Sequence, residues 1–157
     1  MTIDLQPSIT NSTLYERDYL QWIEATAKQI RDRNFNLVDW DNLLEELDSL
    51  GKRDKREVAS RLTLILMHLL KWIYQPEARS LYGNSWVNTI IIQRLDLRRV
   101  LADSPSLRNF LLSEFDSCYA DARKAAAKET KLPIDTFPPE FPFTIEQALD
   151  DDFLPED

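Results

Sequence analysis

Two glycines, Gly51 and Gly83, are all that 157 residues contain. Tight turns between strands need backbone torsions that glycine supplies without strain, so a strand-rich fold would consume many more. The scarcity predicts an all-α chain. Length supports one domain of ordinary size, with roughly 70% of the unfolded surface buried on folding. With 43% hydrophobic and 29% charged residues, the composition is that of a folded chain.

Helical periodicity divides the chain into a compact bundle of five to six helices. Residues 1–12 read as a flexible lead-in, 13–131 as the bundle, and 132–157 as an acidic, proline-rich segment packed on the same domain. Thr13 with Glu16 forms a capping-box pattern, which predicts a first helix carrying Ile23, Ala27 and Ile30 inward and fraying near Arg33. Asp39 caps a second helix with Leu43, Leu44, Leu47 and Leu50 as its apolar face, ending at Gly51. A third helix then runs to Tyr74, where Pro76 stops it. Its part from 62 to 74 is apolar almost all round, as expected of a central, buried rod. A loop containing Gly83 precedes a fourth helix capped by Asn84 or Ser85, with Trp86, Ile90, Leu97 and Leu101 on one side. Ser104-Pro105 opens a fifth, with Leu107, Leu111, Phe115, Cys118, Tyr119 and Ala122 inward. Four prolines and three phenylalanines in 132–143 predict an extended strap whose rings tuck onto the helices. Thr144 with Gln147 caps a last short helix.

Charge is unevenly placed. Eight of the 27 acids lie beyond Lys131, where there is no Lys or Arg, and the remaining 19 match the 19 bases. The basic clusters at 52–56 and 98–99 adjoin acids and read as solvated faces, so nucleic acid is not an expected partner. No apolar stretch reaches the ~20 residues a membrane span needs. No secretory leader is visible, and Cys118 is a lone thiol, so a cytoplasmic setting is expected. The four tryptophans read as core or core rim.

The feature that most asks for chemistry is a polar stripe on the greasiest helix. Arg61, Leu64, His68, Lys71 and Gln75 recur at three- and four-residue steps and share one face. Burying an unpaired charge costs several kcal/mol, so acidic partners must exist. The expected ones are Asp41, Glu45, Glu46 and Asp48 of the second helix. Asp18, Trp86 and Arg94 complete the same expected pocket. One reading is structural, a network that fixes how helices dock and leaves the chain an interaction or regulatory module with a protein partner. The alternative is a hydrolase or nuclease-like enzyme. There His68 is the general base, Glu45 or Glu46 orients it, and Lys71 or Arg94 stabilises an anion, with a divalent metal conceivable. The catalytic candidates are therefore His68, Glu45, Glu46, Lys71 and Arg94, and the binding candidates Asp18, Arg61 and Trp86. No metal-ligand motif and no cofactor motif is present: the Glu three residues before His of di-iron bundles is replaced by Ile65.

The segments LYERDYLQWIE (14–24), LLEELDSLG (43–51), HLLKWIYQP (68–76), SWVNTIIIQR (85–94), DSPSLR (103–108) and FPPEFPFT (137–144) carry a resemblance over nearly the whole chain. Their order and spacing resemble the bacterial family called domain of unknown function twenty-nine. That resemblance implies a compact all-helical fold in a bacterial cytoplasm. It implies no activity.

Overall fold

A computed structural model describes residues 11–156; the expected lead-in lies largely outside them. Among the described residues there are seven α-helices and no strand. They are α1 (Asn11–Arg17), α2 (Tyr19–Arg31), α3 (Trp40–Tyr74), α4 (Arg79–Asp103), α5 (Leu107–Ser113), α6 (Phe115–Thr130) and α7 (Ile145–Leu149). Short 3₁₀ turns at Phe35–Leu37, Pro76–Ala78 and Ile134–Thr136 connect some of them. Backbone contacts divide the chain into two compact units, one through Gly51 and one from Lys52 on.

In the first unit the expected single helix is two. Asp18 leaves helical torsions, and its Oδ1 accepts from the Gln21 amide at 3.0 Å, which caps α2. α2 ends before Arg33, which adopts a left-handed φ of 60°. Its buried residues are Trp22 and Thr26, while Leu20, Ile23 and Ile30 are exposed. The expected inward face of this helix is therefore reversed. The apolar residues lie on the outside because the bulky Trp22 takes the inside, edge-on to Tyr15 with ring centroids 4.8 Å apart. Asp39 does cap the next helix, accepting from the Asn42 amide and side chain.

That next helix does not stop at Gly51. α3 continues through it to Tyr74. Gly51 keeps a negative φ and is exposed, so it adopts helical torsions at an entropic cost of about 1 kcal/mol relative to alanine.

The second unit is built around α3 as expected. Ile65 to Lys71 are seven consecutive buried residues. Successive helical residues turn by about 100°, so such a run is covered on every side. Leu62, Ile65, Leu66, Leu69 and Leu70 are wholly inaccessible and pack with Ile90 and Leu97 of α4, Leu111 of α5, and Cys118, Ala122 and Ala126 of α6. α4 begins four residues before Gly83, so the expected loop and the cap at Asn84 or Ser85 are replaced by helix. Gly83 is buried against α3: a Cβ there would stand 3.3 Å from Cζ3 of Trp72, so the indole would have to shift by a few tenths of an ångström. The expected fifth helix is broken at Glu114 into α5 and α6.

Beyond Lys131 the chain forms the expected strap. Phe137 is wholly buried and meets Tyr74 edge-on, and Phe141 meets both Phe115 and Tyr119. Tyr119 Oη donates to the Pro138 carbonyl at 2.8 Å and Arg123 Nη2 to the Phe137 carbonyl at 2.9 Å, satisfying strap carbonyls that no ladder reaches. Both halves of the Thr144–Gln147 capping box form.

Candidate functional site

The polar stripe of α3 is held by acids, but they come from α4, α6 and α3 itself. Arg61 Nη1 donates to Asp96 at 3.0 Å and Gln93 at 3.1 Å, and its Nε and Nη2 both donate to Glu57 Oε1, one turn back on α3. Its charge is thereby saturated at the side of the bundle. Lys71 is 8% exposed, and its Nζ donates to Glu129 Oε2 of α6 at 2.7 Å. The same ammonium lies 5.0 Å from the ring centroid of Trp86 on α4, a cation–π contact.

His68 lies one turn before Lys71. Its Nδ1–H donates to the Leu64 carbonyl at 2.8 Å, which fixes the tautomer and leaves the lone pair on Nε2. Burial holds the imidazole below the usual histidine range, and the nearby Lys71 charge pushes the same way against the Leu64 carbonyl and Glu129. The ring is therefore neutral near pH 7.

A cleft of about 320 Å³ opens beside the Lys71–Glu129 pair, lined by Lys71, Gln75, Ala78, Tyr82, Trp86, Glu129 and Thr130. Tyr82 stacks on Trp86 at 6.2 Å and 27°. The wall is aromatic, the floor is a buried ammonium already paired, and the half-exposed Glu129 carboxylate stands at the edge. Such a surface can hold a flat or cationic group against the rings. Lys71, with its proton engaged by Glu129, sits there as a positioned charge.

Of the expected site residues, the structure brings together Lys71 and Trp86, while His68 lies one turn before Lys71 and is not among the residues that line the cleft. The others go elsewhere. Glu46 accepts from Tyr15 Oη and Tyr19 Oη, each at 2.6 Å, in the first unit. Glu45 is exposed, and Asp18 is a helix cap. Glu45, Glu46 and His68 share one helix, so these carboxylates do not face His68 as a second, packed helix would present them. Arg94, 4% exposed, donates from Nε to the Ala148 carbonyl at 2.9 Å and from Nη1 to the Phe153 carbonyl at 2.8 Å. It clamps the C-terminal segment. Burial lowers the pKa of its guanidinium, against the opposing pull of Asp150.

Glu129 was not among the expected residues, although the sequence held a signal for it. Cys118, Ala122 and Ala126 form the buried stripe of α6, and Glu129 is the next position on that stripe. Among the described residues, no three His, Cys, Asp or Glu side chains come together so as to hold a metal ion.

The family model for Domain of unknown function DUF29 matches residues 14–154. The chain belongs to that family. The DUF29 match takes in both units, the Lys71–Glu129 cleft and the strap as far as Leu154. No curated protein and no solved structure gives a match. Among the described residues of this DUF29 chain, no helix is long and apolar enough to cross a membrane.

Proposed function

We propose that the chain is a protein-interaction module whose first unit receives a basic amphipathic helix of a partner protein. One observation carries this. Leu20, Ile23 and Ile30 form an exposed stripe on α2, and Leu44, Leu47 and Leu50 form another on α3, each between 38% and 65% accessible. Scattered exposed leucines are ordinary, whereas large apolar residues repeating along a helix face mark a contact surface. Recognition through positions three and four residues apart is how a helix reads another helix.

The charge around the α3 stripe specifies the partner, since from Thr13 to Arg33 acids and bases balance at four each. From Asn34 to Gly51 there are five acids, Asp39, Asp41, Glu45, Glu46 and Asp48, and no Lys or Arg. A helix bearing leucines flanked by lysines complements this segment and an acidic one is repelled. In this reading the Tyr15–Glu46 and Tyr19–Glu46 bonds keep the helices that carry the stripes in register.

The test uses two synthetic helical peptides of equal length, one of Leu and Lys and one of Leu and Glu, titrated into the full chain while tryptophan fluorescence is followed, with Trp40→Phe identifying the part due to Trp40. Trp40 is 46% exposed and begins α3. The expected result is saturable binding of the Lys peptide only, lost in Leu47→Glu with an unchanged melting temperature. Binding of neither peptide, or of both equally, overturns the proposal. So does sedimentation of the parent as a dimer that Leu47→Glu dissociates, since a second copy would then occupy the surface.

A further inference from the structure

The cleft between α3, α4 and α6 is bordered by polar groups that the fold leaves unspent and within reach of solvent. Glu129 gives one carboxylate oxygen, Oε2, to Lys71. Its Oε1 has no partner among the described residues, and the side chain is 51% accessible. Gln75 lies one turn beyond Lys71, half-buried, and its carboxamide likewise has no partner among the described residues. Thr130, by contrast, spends its hydroxyl on the Ala126 carbonyl at 2.8 Å. The Tyr82 ring is 56% exposed and stacks on Trp86. An accessible ring, a free carboxylate oxygen and a free carboxamide thus border one space of about 320 Å³, at the small end of the ~300–1,000 Å³ of ligand sites.

The ion pair at the floor says which charge fits. Lys71 and Glu129 are the only charged residues among those that line the cleft, and they cancel. A second cation at Glu129 would be repelled by the Lys71 ammonium, 2.7 Å from that carboxylate, and an anion would be repelled by Glu129 itself. Of the groups that such an aromatic wall can hold, a flat neutral one is therefore favoured. A buried ion pair is seldom the most stable filling for its place. What this one achieves is orientation: Lys71 keeps the carboxylate ionised and fixes Oε2, which leaves Oε1 as a positioned acceptor.

We propose that this cleft binds a neutral aminated heteroaromatic ring, an aminopurine of the adenine type. The ring stacks on Tyr82. One hydrogen of its exocyclic amine goes to Glu129 Oε1, and the other, with the adjacent ring nitrogen, pairs with the Gln75 carboxamide. An aromatic side chain stacks on any flat base. A carboxylate only accepts, so it takes an amine and rejects a keto oxygen in the same place. A glutamine amide matches the amine and ring nitrogen of adenine with both its groups. The site lies on other elements than the exposed stripes of the first unit and is independent of the interaction reading.

Calorimetry on the full chain tests this with adenosine, purine riboside, which lacks only the amine, and inosine, which carries an oxygen in its place. Adenosine is expected to saturate with a Kd below about 1 mM. The other two should bind at least about tenfold more weakly, the value of one hydrogen bond to a charged group. Tyr82→Leu should weaken adenosine by at least about fivefold through lost stacking. Gln75→Leu should weaken it by about fivefold. Both should leave the melting temperature within a few degrees of the parent, since Tyr82 is exposed and the Gln75 carboxamide is unpaired. Glu129→Gln can still offer Lys71 an oxygen but presents an amide N–H in place of Oε1, so it should reverse the preference between adenosine and inosine. Adenosine 5′-monophosphate separates the sources: affinity equal to or above that of adenosine identifies a nucleotide, and weaker binding identifies a nucleoside; both results support the aminopurine site. No heat with adenosine up to about 10 mM overturns the proposal. So do equal affinities for adenosine and purine riboside, inosine as the tightest probe, and a Tyr82→Leu protein that binds as the parent does.

Discussion

Removing Lys71 and removing Glu129 break the same 2.7 Å ion pair, yet the two changes should cost very different amounts. The pair is lopsided: the Lys71 side chain is 11% accessible and that of Glu129 is 51%. In Lys71→Met the surviving carboxylate turns to water. The loss is a half-exposed pair, about 1 kcal/mol or less, and a cation–π contact of about 0.5–1 kcal/mol. A methionine that packs without the desolvation cost of an ammonium offsets these, so the net change stays within about 1 kcal/mol. In Glu129→Ala the ammonium remains buried with only the Trp86 face for company. Breaking a fully buried pair this way costs about 3–5 kcal/mol. Here water can enter the cleft, and an acid leaves the last turn of α6, where the helix dipole disfavours it by a few tenths. About 2 kcal/mol remains. At roughly 2–4 °C per kcal/mol for a domain of this size, Glu129→Ala should lower the melting temperature by about 4–8 °C and Lys71→Met by less than about 4 °C. The double variant should match Lys71→Met, because the buried charge is gone. Thermal denaturation followed by circular dichroism at pH 7 measures all three. A Lys71→Met protein as unstable as Glu129→Ala, or a double variant worse than both, would refute the asymmetry.

Two further outcomes follow from the burial pattern. His68 has its pKa lowered, so its neutral form is favoured in the fold; its contribution to stability is present above the unfolded value near 6.5 and is lost as pH falls below it. The single imidazole should titrate below 6.5 by NMR, and His68→Gln should flatten the stability profile as pH falls below about 6.5; a midpoint at or above 6.5 would contradict this. The two glycines should respond oppositely to alanine. Gly51→Ala meets nothing within 4 Å and should stabilise by about 0.5–1 kcal/mol. At Gly83 the same helix gain is opposed by a 3.3 Å contact with Trp72, so the melting temperature should stay or fall; equal gains at both sites would contradict that packing.

Local rules alone are enough for the helical class, the central rod, the strap and the last capping box. Each rests on local rules: glycine scarcity, apolar residues all round one helix, proline density, and a Thr and Gln three residues apart. The sequence also required acids beside Arg61 and Lys71, since a buried charge must be compensated wherever it sits. Which acids these are was a tertiary matter. Glu129 lies 58 residues from Lys71 along the chain, and only the packing of α6 on α3 makes them neighbours. Gly51 shows the opposite limit. A glycine after leucines locally favours a stop, but helical residues on both sides of it outweigh a preference of about 1 kcal/mol, and α3 continues through it. The inward face of α2 escapes local rules for a related reason: periodicity shows that Ile23 and Ile30 share a face, and only the neighbours decide whether that face looks in or out.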